Sequence, residues 1–148
     1  MDYTPNKSKS GFQPMPRPAV RHAPQSMEEL AGPALRTFFR IAAAWQLSPD
    51  EQITLLGNPA RSTFYKWKRN GAKELPRDVL ERISYIFGIY KDLQILLPEP
   101  AAADAWIRNA NTAHLFRGHS ALDRMLSGNV ADLYVVRQYL DAQRGGWA

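Results

Sequence analysis

The order of apolar and polar residues along this chain predicts a succession of short helices. Apolar residues recur at helical spacing from Leu35 to Trp45, which indicates one buried helix face. The segment Ser-Pro-Asp-Glu at 48–51 combines an N-capping serine, a proline suited to the first helical position and a glutamate that can reach back to the cap. A second helix is therefore expected to begin there, and the Gly-Asn pair at 57–58 is expected to end it.

A third helix is predicted from about Arg61, with one apolar and one basic side. Its core-facing residues would be Ala60, Phe64 and Trp67, which are spaced i, i+4 and i+7. From residue 61 to residue 73 the chain carries five cations and no acidic residue. The outer side of the helix is predicted to carry Arg61, Ser62, Tyr65, Lys66 and Arg69.

The rest of the chain continues the helical pattern. The Leu-Pro pair at 75–76 opens a longer apolar pattern that runs to about residue 97, with Gly88 as a candidate break. A short helix is predicted over residues 101–108. The segment Ser-Ala-Leu-Asp at 120–123 is a second capping box, and its helix should stop at Gly128. The last helix should turn Val130, Leu133, Val136 and Leu140 inward.

No alternating strand pattern stands out, so the chain is predicted to be all-α. Residues 1–26 contain five of the eleven prolines and little apolar periodicity, which predicts a disordered N-terminal arm. We expect a helix-turn-helix domain over residues 27–98 and a small helical C-terminal domain over residues 99–148.

Composition narrows the classes of function. The 148 residues suffice for one ordinary domain or two very small ones. The absence of cysteine excludes disulfides, thiolate catalysis and cysteine-ligated zinc, and it fits a reducing cytosol. No apolar run approaches the ~18 residues that a membrane span needs, and the N-terminus lacks the apolar core of a signal peptide. We therefore expect a cytoplasmic protein with no membrane partner.

The basic third helix is the candidate DNA-binding element. Two short helices joined by a glycine-containing turn, the second of them basic, fit a helix-turn-helix whose second helix enters the major groove. A two-fold operator normally takes two copies, so at least a homodimer is expected. The alternative is a small helical bundle whose basic face is simply solvated. The candidates are Arg61, Ser62 and Tyr65 for base edges, Thr63 beside them in the first turn, and Lys66, Lys68 and Arg69 for phosphates.

The C-terminal third carries the most specific motif of the sequence. Trp106 is followed by Phe-x-Gly-x-Ser-x-Leu at residues 116–122, and the chain ends with two glycines and a tryptophan at 145–147 before its last alanine. This arrangement resembles the toxin-binding domain of Xre/ParS-type antitoxins, the partners of RES-domain toxins, and the upstream helices are similar to their Xre-like helix-turn-helix domain. The resemblance covers about residues 30–148. It departs at Ala110, where family members often carry proline.

The resemblance implies a function. RES toxins are thought to consume NAD, and their antitoxins bind them through the C-terminal domain and obstruct the active site. The complexes often repress their own promoter, and antitoxin–antitoxin contacts build a larger assembly. The expected protein is an antitoxin that uses no cofactor and no metal. Its toxin-binding candidates are Phe116, Arg117, Gly118, His119, Leu122, Met125, Arg144, Gly145, Gly146, Trp147 and Ala148.

The end of the chain has the residue types expected of a binding anchor. The diglycine at 145–146 would free Trp147 to reach a cleft. Because tryptophan and arginine are the residue types most often found as binding hot spots, Trp147 and Arg144 are the leading anchors. Leu122 and Met125, one helix turn apart, could add an apolar contact. Folding of Trp147 back onto its own helix is the alternative.

Two other classes of function stay open at this point. A stand-alone transcription regulator would use its C-terminal domain only to dimerise or to sense a small molecule. An enzyme is disfavoured, because Ser120 fits an N-cap and has no base and acid at a recognisable spacing. His114 and His119 also lack a metal-binding arrangement such as H-E-x-x-H.

Overall fold

The computed structural model describes the backbone of residues 27–145 and the side chains of residues 29–145. This part of the chain is helical and contains no strand apart from one isolated bridge between Ala110 and Ser120, so the predicted all-α class is confirmed. The predicted arm over residues 1–26 lies outside the described residues. The helices are α1 (Met27–Ala44), α2 (Pro49–Leu55), α3 (Arg61–Asn70), α4 (Arg77–Leu96), α5 (Pro100–Ala105), a 3-10 turn (Trp106–Arg108), α6 (Ala121–Met125) and α7 (Val130–Gly145).

Both predicted capping boxes are formed. At the start of α2, Oγ of Ser48 accepts a hydrogen bond from the backbone N–H of Glu51 at 3.1 Å, and Oε1 of Glu51 accepts one from the N–H of Ser48 at 2.8 Å. Ser120 and Asp123 make the same reciprocal pair at the start of α6. Each box satisfies two backbone donors that the first helical turn leaves unpaired, and so it fixes where the helix begins.

Three local predictions are wrong. Ala60 is exposed and forms the N-cap of α3, so the core-facing side of that helix starts at Phe64. The helix predicted over residues 101–108 is divided into α5 and the 3-10 turn. Gly88 does not end α4, which continues to Leu96.

Gly88 has a packing role inside α4. It is buried where α7 crosses, and a Cβ built at this position would lie 2.5 Å from Nε of Arg137. The guanidinium of Arg137 also donates a hydrogen bond of 3.4 Å to the carbonyl of Ser84. The missing side chain therefore lets α7 approach α4 closely, which tertiary packing demands and local helix propensity does not reveal.

The helix α4 is shared by the two predicted domains. Both α1 and α7 pack along it, and α5 packs beside it. The described residues bury one continuous apolar cluster that draws side chains from α1 through α7, with Phe38, Trp45, Phe64 and Leu133 almost fully buried. The helix-turn-helix and the C-terminal helices therefore rest on one core.

Candidate functional site

The basic candidates of α3 lie on the side of the helix that faces away from the core. Phe64 and Trp67 are buried, as expected, and Phe64 packs against the rings of Phe39 and Tyr65. Their burial orients the helix, because the side opposite Phe64 and Trp67 then points outward. The exposed candidates are Arg61, Ser62, Lys66, Lys68 and Arg69, while Thr63 and Tyr65 are half-buried.

Arg61 has an acidic neighbour that the sequence analysis did not select. Its guanidinium pairs with the carboxylate of Asp50 in the first turn of α2. A hydrogen bond and charge attraction from Asp50 raise the pKa of Arg61 above its ordinary value, with a smaller contribution from the Tyr65 hydroxyl. The pair is solvent-exposed on both sides, so an approaching phosphate can compete for the guanidinium.

The turn between α2 and α3 is held against α4. Gly57 adopts φ +95°, and a Cβ at this position would lie 2.8 Å from Oδ2 of Asp78. Asp78 pairs with Arg82, which is largely buried, and Nη2 of Arg82 donates 2.9 Å to the carbonyl of Gly128. One arginine thus connects the helix-turn-helix to the turn between α6 and α7.

A second arginine makes a similar connection. The guanidinium of Arg108, after α5, donates to the carbonyls of Trp45 at 3.1 Å and Gln46 at 2.8 Å, at the end of α1. It also lies 3.4 Å from Oε1 of Glu51 on α2. These bonds satisfy carbonyls that a helix C-terminus leaves unpaired, and they hold the C-terminal helices to the first two helices.

The C-terminal motif forms a tight loop over residues 109–119. The N–H of Asn111 donates to the carbonyl of His119 at 3.0 Å, and the N–H of Gly118 donates to the carbonyl of Asn111 at 2.9 Å. Arg117 and Gly118 both have a positive φ, +51° and +85°, which puts the tip in a conformation that glycine accepts readily and arginine rarely. Arg124 donates to the carbonyl of Leu115 at 2.8 Å and so braces the loop from below.

The toxin-binding candidates of this region divide into core and surface residues. Phe116, Leu122 and Met125 are almost fully buried. Phe116 packs edge-on between the rings of Trp106, at 5.9 Å, and Tyr139, at 5.3 Å. These three candidates serve here as core residues, because α6 turns Leu122 and Met125 inward and two aromatic rings enclose Phe116 in the loop before it. Arg117, Gly118 and His119 are exposed, and the first and last of them line an open depression of about 400 Å³.

The candidates at the end of the chain are described in part. Gly145 is the last residue of α7 and is exposed, so the helix continues into the diglycine. Arg144 contacts α4, where its Nη1 lies 3.2 Å from Oδ1 of Asp92. Gly146, Trp147 and Ala148 lie outside the described residues.

Asp92 was missed by the sequence analysis. It is buried on α4, and burial together with the neighbouring Asp141 raises its pKa to about 6, while Arg144 acts in the opposite direction. The available signal was a carboxylate between Ile89 and Leu93, two positions of the buried face. A charge on the edge of an apolar stripe is rarely buried without a partner.

Comparison with known proteins matches both parts of the chain to antitoxin domains. Residues 25–88 match the antitoxin Xre-like helix-turn-helix domain, and residues 92–146 match the antitoxin Xre/MbcA/ParS C-terminal toxin-binding domain. The two matches meet within α4. The chain is also 55% identical over 128 residues to the uncharacterized protein y4oB of Sinorhizobium fredii (strain NBRC 101917 / NGR234), covering 86% of this chain and 97% of that protein.

The fold and the matched domains define a helix-turn-helix protein with a helical toxin-binding extension. The chain belongs to the Xre/MbcA/ParS family of antitoxins, which confirms the resemblance seen in its sequence. It is thus an antitoxin of a toxin–antitoxin system, and both domain families are non-enzymatic. Among the described helices, none is long and apolar enough to cross a membrane.

Proposed function

We propose that this antitoxin neutralises a RES-type, NAD-consuming toxin by obstructing its active site with the C-terminal region. The tight loop packs on α7, since the ring of Phe116 below the loop lies against the ring of Tyr139. Arg144 follows Tyr139 by five residues, or about 7.5 Å along a helix. In this proposal, the exposed tip of the loop and the end of the helix on which the loop packs are the two parts of the domain that contact the toxin. The match to a toxin-binding domain over residues 92–146 carries the proposal.

The RES identity of the toxin rests on the motif Phe-x-Gly-x-Ser-x-Leu and the terminal Gly-Gly-Trp. The test is co-expression of the full chain with the protein encoded beside it, with growth and cellular NAD as readouts. A chain that ends after Gly145 removes the predicted tip and leaves the Arg144–Asp92 pair in place. Gln143→Ala, an exposed change in the same turn, is the control.

The outcomes separate two modes of neutralisation. If the full chain restores growth and NAD and the shortened chain does not, the residues after Gly145 obstruct the toxin. If both restore them, the loop is the contact, and Arg117→Asn together with His119→Ala should then abolish rescue. Asparagine is chosen because it tolerates the positive φ at position 117. The RES assignment is refuted if the neighbouring protein does not lower cellular NAD, or if the full chain does not prevent the loss.

We also propose that the antitoxin binds operator DNA through α3 as at least a homodimer and so represses its own operon. The exposed cations of α3 support this, because neutralised phosphates supply most of the affinity for a DNA backbone. Arg61→Gln and Lys66→Gln should each weaken binding to the upstream DNA. Lys91→Gln, the same charge change on α4, should have little effect. Equal losses of DNA affinity in all three variants would mean that net charge, and not a specific surface on α3, accounts for the binding.

A further inference from the structure

The last turn of α7 has no apolar anchor. Leu140 is the last buried residue of the helix, and residues 141–145 are all exposed. A helix end whose side chains all face water tends to fray, because few contacts oppose the gain in backbone entropy. A polar contact is therefore needed to hold this turn on the domain.

That contact is made on α4 by Asp92. Its side chain is only 3% exposed, and its Oδ1 accepts the 3.2 Å hydrogen bond from Arg144. Its Oδ2 is buried and has no hydrogen-bond partner among the described residues. Asp141, one turn before Arg144, faces the same carboxyl and also lies 3.7 Å from Arg137. The last turn of α7 thus meets α4 through an acid pair and an arginine.

We propose that Asp92 is a positioning residue for the C-terminal end of the antitoxin. Its buried carboxyl holds the last turn of α7 against α4 through Arg144, and this fixes Gly145, the exit point to the residues that follow. The inference rests on the proposed function, in which those residues enter the toxin. A fixed exit point favours binding, because less conformational freedom is lost when the complex forms.

A positioning role explains the choice of charged residues better than stability does. An apolar pair of similar volume is often as stable as a buried ion pair, or more so, because charges lose their hydration on burial. A hydrogen-bonded pair is directional, however, and it accepts one helix register. Since Asp92 is itself buried, it offers almost no surface to a toxin, so its effect on neutralisation must pass through the end of α7.

The experiment measures amide hydrogen exchange over residues 141–145 in the full chain. It compares wild type with the variants Asp92→Leu and Asp92→Asn. Leucine fills the site and removes the acceptor of Arg144. Asparagine keeps an acceptor for Arg144 and adds a donor that can reach Asp141. We expect exchange in this turn to accelerate on the order of tenfold with leucine, the equivalent of one charged hydrogen bond, and to stay near wild type with asparagine.

A second measurement is the binding of the purified protein encoded beside this chain, which is the toxin of the proposed function. Asp92→Leu should weaken its binding about tenfold and Asp92→Asn should restore it, with urea unfolding of each variant recorded in parallel. Unchanged exchange in Asp92→Leu, or equal loss of binding in both variants, would overturn the proposal. Arg144→Gln keeps the exchange test decisive if the leucine variant does not fold. If the wild-type chain itself does not bind, the proposed function fails, and the exchange measurement still decides the role of Asp92.

Discussion

The stability of this antitoxin should depend on pH through Asp92. The perturbation is Asp92→Asn, which removes the titrating group and keeps its shape. Burial and Asp141 raise the pKa of Asp92 from an ordinary 3.8 to about 6, against the opposing effect of Arg144. A rise of this size corresponds to about 3 kcal/mol of folding free energy, since one pKa unit is worth about 1.36 kcal/mol.

The sign of the effect follows from which state binds the proton more tightly. Because the pKa is higher in the folded protein, protonated Asp92 favours folding. This contribution is fully present below pH 3.8 and is lost as the pH rises through about 6. Wild type should therefore lose up to about 3 kcal/mol relative to Asp92→Asn between pH 4 and pH 7.5.

The assay is urea unfolding of both proteins at half-unit steps of pH, followed by helix circular dichroism. Carboxylates distant from Asp92 titrate alike in both proteins and cancel in the difference, whereas Asp141 faces Asp92 and is part of the measured effect. A difference that stays constant across this range would refute the reasoning. If the free energy of unfolding of wild type instead increases relative to that of the variant as pH rises, the attraction by Arg144 outweighs burial and Asp141.

Three further changes test other parts of the structure. Asp50→Asn frees Arg61 and removes a carboxylate beside the proposed DNA-binding face of α3, so operator affinity should rise about threefold at low salt and less at high salt. A loss of affinity would mean that Asp50 orients Arg61 for binding. Gly57→Ala should cost about 1–3 kcal/mol in urea unfolding, and more than Gly128→Ala, which has a similar φ but whose Cβ would meet only Nδ2 of Asn58, at 3.9 Å; equal costs would mean that backbone strain alone explains both losses. Phe116→Ala should cost about 3–5 kcal/mol, and a loss below about 1 kcal/mol would contradict its burial.

Local hydrogen-bond rules made several helix boundaries predictable from the sequence. Ser48 and Ser120 cap their helices through residues three positions away, so the whole signal lies within one short segment. The buried side of α3 was largely predictable for a similar reason, since Phe64 and Trp67 follow the helical period. The prediction failed at Ala60, because a helix boundary shifted by one residue changes an inward position into a cap.

Tertiary features were not predictable from local patterns. Gly88 reads as a helix breaker until α7 and its Arg137 are placed across it. Phe116 belongs to the most specific motif of the chain, yet it fills the space between two other aromatic rings. A motif identifies residues that a fold or a function requires, and it does not say which of the two each residue supplies. Asp92 and its partner on α7 lie 52 residues apart, beyond the reach of any periodicity argument.

The shared core determines how toxin neutralisation and the proposed DNA binding can be separated by mutation. The buried face of α4 contacts α1 on the helix-turn-helix side and α7 on the toxin-binding side, so a cavity made there loosens both. Surface changes on α3 or in the tight loop leave that core intact. Ile86→Ala should therefore weaken DNA binding and neutralisation together, in proportion to lost stability. Lys66→Gln should affect DNA binding alone, and a loss of neutralisation in that variant would show that the two surfaces are energetically coupled.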